Sequence, residues 1–376
     1  MKILYTNFHP RNGGGHANYI ANLARSFQGE HQVAVATPGT SRLYGMASDI
    51  AGVQCLDMPF STRPAAMSAE VLTLRLLLRE GRFDLIHVNG SADHRQAMLA
   101  RVGLRDRPRI IWTKHNTTPI RSMGNRLRAQ MGTDGVIGVS DFVSSLLLDS
   151  SYARCPIRTI HHGVDTDRFR PVTAARAQVL RRQFLGDLPA DTLVLASVGG
   201  TDRDKGWIYL AQAIAKLPIA LRARVRLLVA GDPIQGPLLE DFKRLGVGTS
   251  VVFPGLVDRP ELVLAAAHIG FVLSLHEAFS FAAAESLSTG LPTLVSDAGG
   301  LPEVVRDGVD GWVVPAGNLD AVHAWLRQRL AEPLPPTMSP AARKHAETAF
   351  SLRGFARRTL DFYQQVCPAC ARRRRA

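Results

Sequence analysis

A chain of 376 residues with 46% apolar and 20% charged content can bury more than one core, which excludes a disordered polymer and points to two domains. No stretch reaches the roughly 18 uninterrupted apolar residues of a membrane span, and the opening MKILYTNFHP reads as a short strand rather than a secretory leader, so the expected localisation is cytoplasmic. The net charge of +13 calls for an acidic partner or surface, and residues 1–170 hold 21 Lys plus Arg against 13 Asp plus Glu.

Residues 2–7 (KILYTN) form a candidate first strand, and FHPRNGGGHANYIANLARSF then reads as a glycine-rich turn entering an amphipathic helix. Gly13, Gly14 and Gly15 fall where a first strand meets a first helix, the ligand side of an open α/β sheet. The run is not G-x-G-x-x-G, and no acidic residue about 20 positions on closes a second strand, so a nicotinamide site fits poorly. Further strands are expected over 32–37, 83–88 and 109–113, with a Leu-spaced helix over 66–80. Two of these strands end in polar clusters: His87, Asn89 and Gly90 after one, Lys114, His115 and Asn116 after the other. Strands alternating with helices argue for a doubly wound parallel sheet, and the polar strand ends for a binding crevice. IRTIHHGVDTDRFRP, residues 157–171, has the turn and proline punctuation of a domain boundary.

A second half then begins with LVLASVGGTDRDKGWIYLAQAIAKL: a strand, a turn carrying Gly199, Gly200, Arg203, Lys205 and Gly206, and a helix. Cations on such a turn suit a diphosphate, Lys as a point charge and Arg as a fork; the alternative is a solvated basic turn. After a strand at 225–231, Phe271–Leu275 reads as a buried strand, HEAFS as a turn, and Phe281–Ser288 as a helix stopped by Gly290 and Pro292. The unpaired amides at that helix start suit a diphosphate. Glu285 would lie about one turn inside, able to accept from vicinal hydroxyls, with Glu277 on the turn at the reaction centre. A second buried strand, a Gly-Gly turn and a helix start at Pro302 and Glu303 follow; from Leu319 the chain is helical, ending in an amphipathic helix over 351–366. The terminal CxxC, Cys367 and Cys370, lacks the about four ligands of a structural zinc site and reads as incidental thiols ahead of Arg372–Arg375.

These segments, in this order, resemble the retaining GT-B glycosyltransferases of the GT4-like (glycosyl transferases group 1) family. The resemblance rests on E-x-F-G-x-x-x-x-E-A-x-A-x-G-x-P followed by G-G-x-x-E, on the I-P-N-G-V-D-x-x-x-F-x-P linker, and on G-R-L-x-x-x-K-G. Here Ser280 stands for the usual Gly, Ser286 for Ala, His162 for Asn and Gly200 for Arg, with Arg203 as a displaced substitute or none. The implied fold is α/β, GT-B, with two Rossmann-like doubly wound domains facing across a cleft: 1–168 on the acceptor side, 169–350 binding the nucleotide-sugar, and 351–376 a helix crossing back plus a basic tail. The implied reaction is retaining transfer from a nucleoside-diphosphate sugar to an acceptor hydroxyl. His115, Glu277 and Lys205 are the implied catalytic set, with His115 near the anomeric centre and Glu277 on the transferred sugar. Gly14, Gly15, Arg203, Lys205, Val257, Phe279, Ser280, Phe281 and Glu285 are the implied donor-binding set, Val257 by the nucleobase and Glu285 on the ribose. The leaving phosphate would serve as the base. No DxD-type metal site is visible, so no metal cofactor is expected. The expected partners are the donor, a glycan or glycolipid acceptor of the lipopolysaccharide type and an anionic membrane surface, not nucleic acid. Arg63, Arg75, Arg79, Arg82, Arg121, Arg126 and Arg128 would face that membrane. Two alternatives stay open: a nucleotide-sugar epimerase or hydrolase of the same fold, and a non-catalytic sugar-nucleotide binder.

Overall fold

The computed structural model describes residues 1–10 and 14–368; Gly13, Cys370 and the Arg372–Arg375 run lie outside them. The chain divides into two compact units, Met1–Gly163 together with the chain from Leu352 onward, and Val164–Ser351. The sequence reading sets its breaks after residues 168 and 350. Hydrogen bonding explains where the division falls: Asn22 Nδ2 donates to the Gly163 carbonyl at 3.2 Å inside the first unit. One residue on, the Val164 amide donates to the Phe350 carbonyl at 2.7 Å inside the second.

The first unit is built on seven parallel strands, β1 (Lys2–Thr6), β2 (Gln32–Thr37), β3 (Val53–Asp57), β4 (Leu85–Val88), β5 (Arg109–Lys114), β6 (Gly135–Gly138) and β7 (Ile157–Thr159), in the order β3-β2-β1-β4-β5-β6-β7. The central strands are buried on both faces, as their near-continuous Val, Ile, Leu and Ala runs require. The order reverses between β1 and β4, which places that switch point beside the carboxyl ends where Asn7 and Asn89 follow their strands. The helix Leu352–Val366 belongs to this unit, burying Phe355, Phe362 and Tyr363. Cys367 just beyond it is disulfide-bonded, which corrects the reading of an incidental thiol at that position.

The second unit repeats the plan with six parallel strands, β8 (Leu193–Ser197), β9 (Val225–Val229), β10 (Val251–Val252), β11 (Ile269–Val272), β12 (Thr293–Ser296) and β13 (Gly311–Val314), ordered β10-β9-β8-β11-β12-β13. Trp207, Leu210, Ile214, Val322, Trp325 and Leu326 cover one face; Leu180, Val263 and Leu264 pack on the other. Each fully buried side chain of this size contributes about 1.5–3 kcal/mol. The strand expected over Phe271–Leu275 lies instead at Ile269–Val272, because the Leu275 amide leaves the ladder and donates to the Asp204 carbonyl at 2.9 Å. The helix expected over Phe281–Ser288 has those bounds.

A single guanidinium nitrogen ties the end of that helix to the segment entering the unit: Arg343 Nη1 donates to the carbonyls of Thr166, Phe169 and Ser288 at 2.9, 2.8 and 2.7 Å. Hydrogen bonds from a charged donor contribute about 1.5–3 kcal/mol each, less where one nitrogen serves several acceptors. Arg343→Met, which keeps the bulk, is expected to destabilise the second unit by about 2 kcal/mol in urea unfolding; no shift in midpoint would show that water replaces the guanidinium at no cost.

Candidate donor site and histidine cluster

The donor-side residues gather at the carboxyl ends of β8 and β11, within the second unit. After β8 the chain turns through Gly199 and Gly200 into a short 3₁₀ turn, Arg203–Lys205, before the helix Trp207–Ala215. Gly206 has φ +73°, and a Cβ there would stand 1.7 Å from the Leu273 carbonyl oxygen. The turn therefore lies flat on the end of β11, and only glycine permits it. This approach and the Leu275–Asp204 bond bring Lys205 Nζ to 3.1 Å from Glu277 Oε2, which also accepts from Ser274 Oγ at 3.3 Å. Both side chains keep partial access to solvent, 32% for Lys205 and 16% for Glu277, so an anion could exchange with the carboxylate for the ammonium.

Arg203 is not part of this pair; its guanidinium bonds Asp241, which also holds Arg244 at 2.7 Å. Gly200, where the family pattern read in the sequence has Arg, adopts φ +100°, a conformation that an arginine would adopt only with strain.

Ser280 opens the helix Phe281–Ser288 with φ +92° and ψ 102°, and its hydroxyl accepts from the Ala283 amide at 3.3 Å. A serine thus holds a glycine-like backbone here and bears its strain, about 1–3 kcal/mol, partly offset by the cap. The hydroxyl also occupies one of the helix's unpaired donors. Ser280→Gly is expected to raise thermal stability by about 1 kcal/mol; a lower melting temperature would show the cap to outweigh the strain. Phe279 is fully buried, its ring edge-on to Phe350 at 5.5 Å, and anchors the turn.

Glu285 lies one turn into this helix, half-buried, and no described residue donates a hydrogen bond to its carboxylate. Burial pushes its carboxyl up to about 7; Arg168 opposes the shift and Glu261 reinforces it. Arg168 and Glu261 are themselves paired at 2.9 Å, Arg259 holds the other Glu261 oxygen at 2.9 Å, and Arg168 Nη2 donates to the Asp258 carbonyl at 2.8 Å. The network fixes the backbone just after Val257 beside Glu285. Sequence reasoning missed Arg168 and Glu261; the only signal is the arginine inside DTDRFRP, which reads as linker.

The first unit carries a second cluster. Gly14 and Gly15 are exposed at the start of the helix Gly14–Phe27, with His16 next. The His16 ring lies 4.2 Å from that of His115 and the His162 ring stacks on His115 at 5.6 Å and 13°, while Tyr19 meets His115 and His162 edge-on at 4.7 and 5.1 Å. Asn89 orients His115. Its amide nitrogen donates to the carbonyls of Thr6 and His87 at 3.1 and 3.2 Å, so its oxygen is the atom 2.9 Å from His115 Nε2. His115 therefore carries its proton on Nε2 and presents Nδ1 as an acceptor, an atom buried and without a partner among the described residues. Burial first, then the neighbouring histidines, hold His115 well below the usual histidine range, and burial pushes His162 down to about 3. The adjacent Lys114, pushed down to about 8 by burial, donates to Asn116 Oδ1 and the Thr118 carbonyl at 3.0 and 2.7 Å and closes the turn after His115. Among the described residues no group of three or more His, Cys, Asp or Glu could hold a metal ion.

Residues 13–168 match the model of Glycosyltransferase Family 4, and residues 183–345 that of Glycosyl transferases group 1. A D-inositol 3-phosphate glycosyltransferase of Mycobacterium avium (strain 104) is 30% identical over 340 residues, covering 83% of this chain and 76% of the relative. Its counterpart in Mycobacterium tuberculosis (strain ATCC 25177 / H37Ra) is 28% identical over 345 residues, covering 84% and 68%. Among solved structures, a glycosyltransferase from Rickettsia africae superposes with a TM-score of 0.84 at 18% identity over 97% of this chain and 98% of that one. Anabaena HepE in complex with UDP and glucose superposes at 0.80, with 18% identity over 96% and 99%. At these identities the likeness shows the fold, GT-B.

Proposed function

The chain belongs to the group 1, family 4-type glycosyltransferases, and from that premise we propose that it transfers a sugar from a nucleoside-diphosphate donor to an acceptor hydroxyl with retention of anomeric configuration. The observation that carries the reading is the Lys205–Glu277 pair, an ammonium and a carboxylate 3.1 Å apart on the turns after neighbouring strands. Lys205 would meet the leaving phosphates, joined by the first amides of the helix Phe281–Ser288, while Glu277 holds the transferred sugar. Glu285, a carboxylate to which no described residue donates, would take the ribose hydroxyls, and His115 Nδ1 a sugar hydroxyl. The phosphate oxygen released by C–O cleavage accepts the acceptor's proton, so no protein base and no metal is required. With an α-linked donor, proton NMR of the glycoside formed should show the α anomer; a β product would overturn retention.

The acceptor we assign is a hydroxyl on a lipid-linked or envelope glycan at an anionic membrane face. No helix among the described residues is long and apolar enough to cross a membrane. Support comes from the helix Met123–Met131, which exposes Met123 (77%), Leu127 (48%) and Met131 (57%). Fourfold spacing puts these on one stripe, opposite the buried Ala129 and flanked by Arg126 and Arg128. Each cation near an anionic surface contributes about 1 kcal/mol. The protein is expected to float with anionic liposomes at low salt and to be released at 1 M salt, where the Debye length is about 3 Å. Indifference to anionic vesicles, or equal binding to neutral ones, would place the acceptor in solution.

A further inference from the structure

A line of five buried side chains runs from the C-terminal helix to the histidine cluster, all within the first unit. Tyr363 on the helix Leu352–Val366 donates its hydroxyl proton to Tyr5 at 3.2 Å. The same hydroxyl bonds His87 Nδ1, His87 Nε2 bonds Thr113 Oγ1 at 2.6 Å, and Thr113 Oγ1 bonds the Tyr19 hydroxyl at 3.0 Å. All five residues are fully buried.

Counting protons gives the line a direction. Tyr363 has spent its proton on Tyr5, so it must accept from His87 Nδ1–H. Burial keeps His87 neutral, pushed down to about 3, so its Nε2 is an acceptor and Thr113 must donate to it. Thr113 has then spent its own proton and accepts one from Tyr19. Tyr363, His87 and Thr113 each give one proton and take one along the line, Tyr5 accepting at one end and Tyr19 donating at the other. At the far end the Tyr19 ring, anchored by its hydroxyl, stands edge-on to both His115 and His162. His115 and His162 form a stacked imidazole pair, their rings 13° apart in plane.

We propose that Tyr363 is a positioning residue for sugar transfer, acting through His87, Thr113 and Tyr19 to hold the His115 and His162 rings in register. The inference rests on the reading above that His115 meets the sugar. Removing the Tyr363 hydroxyl leaves His87 Nδ1–H without its acceptor in a site closed to water. His87 then relieves itself by moving its proton to Nε2, which reverses the Thr113 hydroxyl and leaves the Tyr19 hydroxyl without its acceptor. The C-terminal helix would thereby bear on the reaction without touching substrate.

The test is a double-mutant cycle on turnover, Tyr363→Phe with Thr113→Val, both conservative in shape. Each single change is expected to lower kcat about tenfold with the donor KM unchanged. If the line acts as a unit, the double variant should fall about tenfold as well, whereas independent structural damage would multiply to about a hundredfold. Imidazole nitrogen NMR gives a readout free of activity: in folded Tyr363→Phe the His87 signals should change from the Nδ1–H to the Nε2–H tautomer. Additive losses, unchanged kcat in both singles, or an unchanged tautomer would overturn the proposal. A wild-type chain that turns over no donor would instead overturn the transfer reading, so the two failures are distinguishable.

Discussion

Replacement of Lys205 by Ala is expected to lower kcat about 10²–10³-fold, the loss found when one preorganised donor to a developing charge is removed. The expectation follows from how little freedom the residue has. Gly206 presses the turn against the Leu273 carbonyl, the Asp204 carbonyl is bonded to Leu275, and the ammonium comes to rest on Glu277. When the donor's bond to its sugar lengthens, negative charge grows on the leaving phosphate, and a fixed cation stabilises that charge more than it stabilises the ground state. The neighbouring Arg203 is a weak substitute because Asp241 already neutralises it. Lys205→Arg should restore part of the rate, since the charge returns with a different reach. A folded Lys205→Ala protein with undiminished kcat would move the charge stabilisation elsewhere.

Glu285→Ala is expected to weaken donor binding by about 1.5–3 kcal/mol, as for charged hydrogen bonds lost to both ribose hydroxyls. The elevated carboxyl adds a pH signature. A carboxyl raised to about 7 stays protonated in the folded chain over a window, about 4.5 to 7, where the unfolded chain has released its proton. Its contribution to stability therefore declines as pH rises through that window. Donor binding has the opposite sign, because hydroxyls donate best to the ionised form: affinity should improve about tenfold from pH 6 to pH 8, with proton uptake into buffer on binding near pH 7. Glu285→Gln should flatten that slope. Titration calorimetry in two buffers of different ionisation heat measures both effects; a flat profile in the wild type, or equal affinity for a 2′,3′-dideoxy donor, would contradict the ribose assignment.

The helix carrying Glu285 is legible in the sequence with its bounds, because its signals are local: a small capping residue before it, Ala and Leu along it, Gly290 and Pro292 after it. The parallel architecture is legible for a similar reason, since a buried strand must read as a short apolar run. β3 is not, because an edge strand reading VQCLD is only half covered and its pattern is mixed. The shift of β11 was hidden because what ends it is a bond to Asp204, far away in the chain. The same holds at the sites. Glu277 and Glu285 stand out by spacing, but the shift of the Glu285 carboxyl comes first from its burial in the folded unit, which Arg168 opposes and Glu261 reinforces, and His16 joins His115 only once β1 and β5 lie in one sheet. Long-range pairings of this kind leave no periodicity to read.

The most direct test is release of nucleoside diphosphate from a panel of nucleotide-sugars, measured with and without an envelope lipid extract. A transferase should release it from one donor and depend on the extract, with sugar recovered in the lipid fraction. Turnover that ignores the extract would indicate an epimerase or hydrolase of the same fold, and saturable donor binding without release would contradict catalysis altogether.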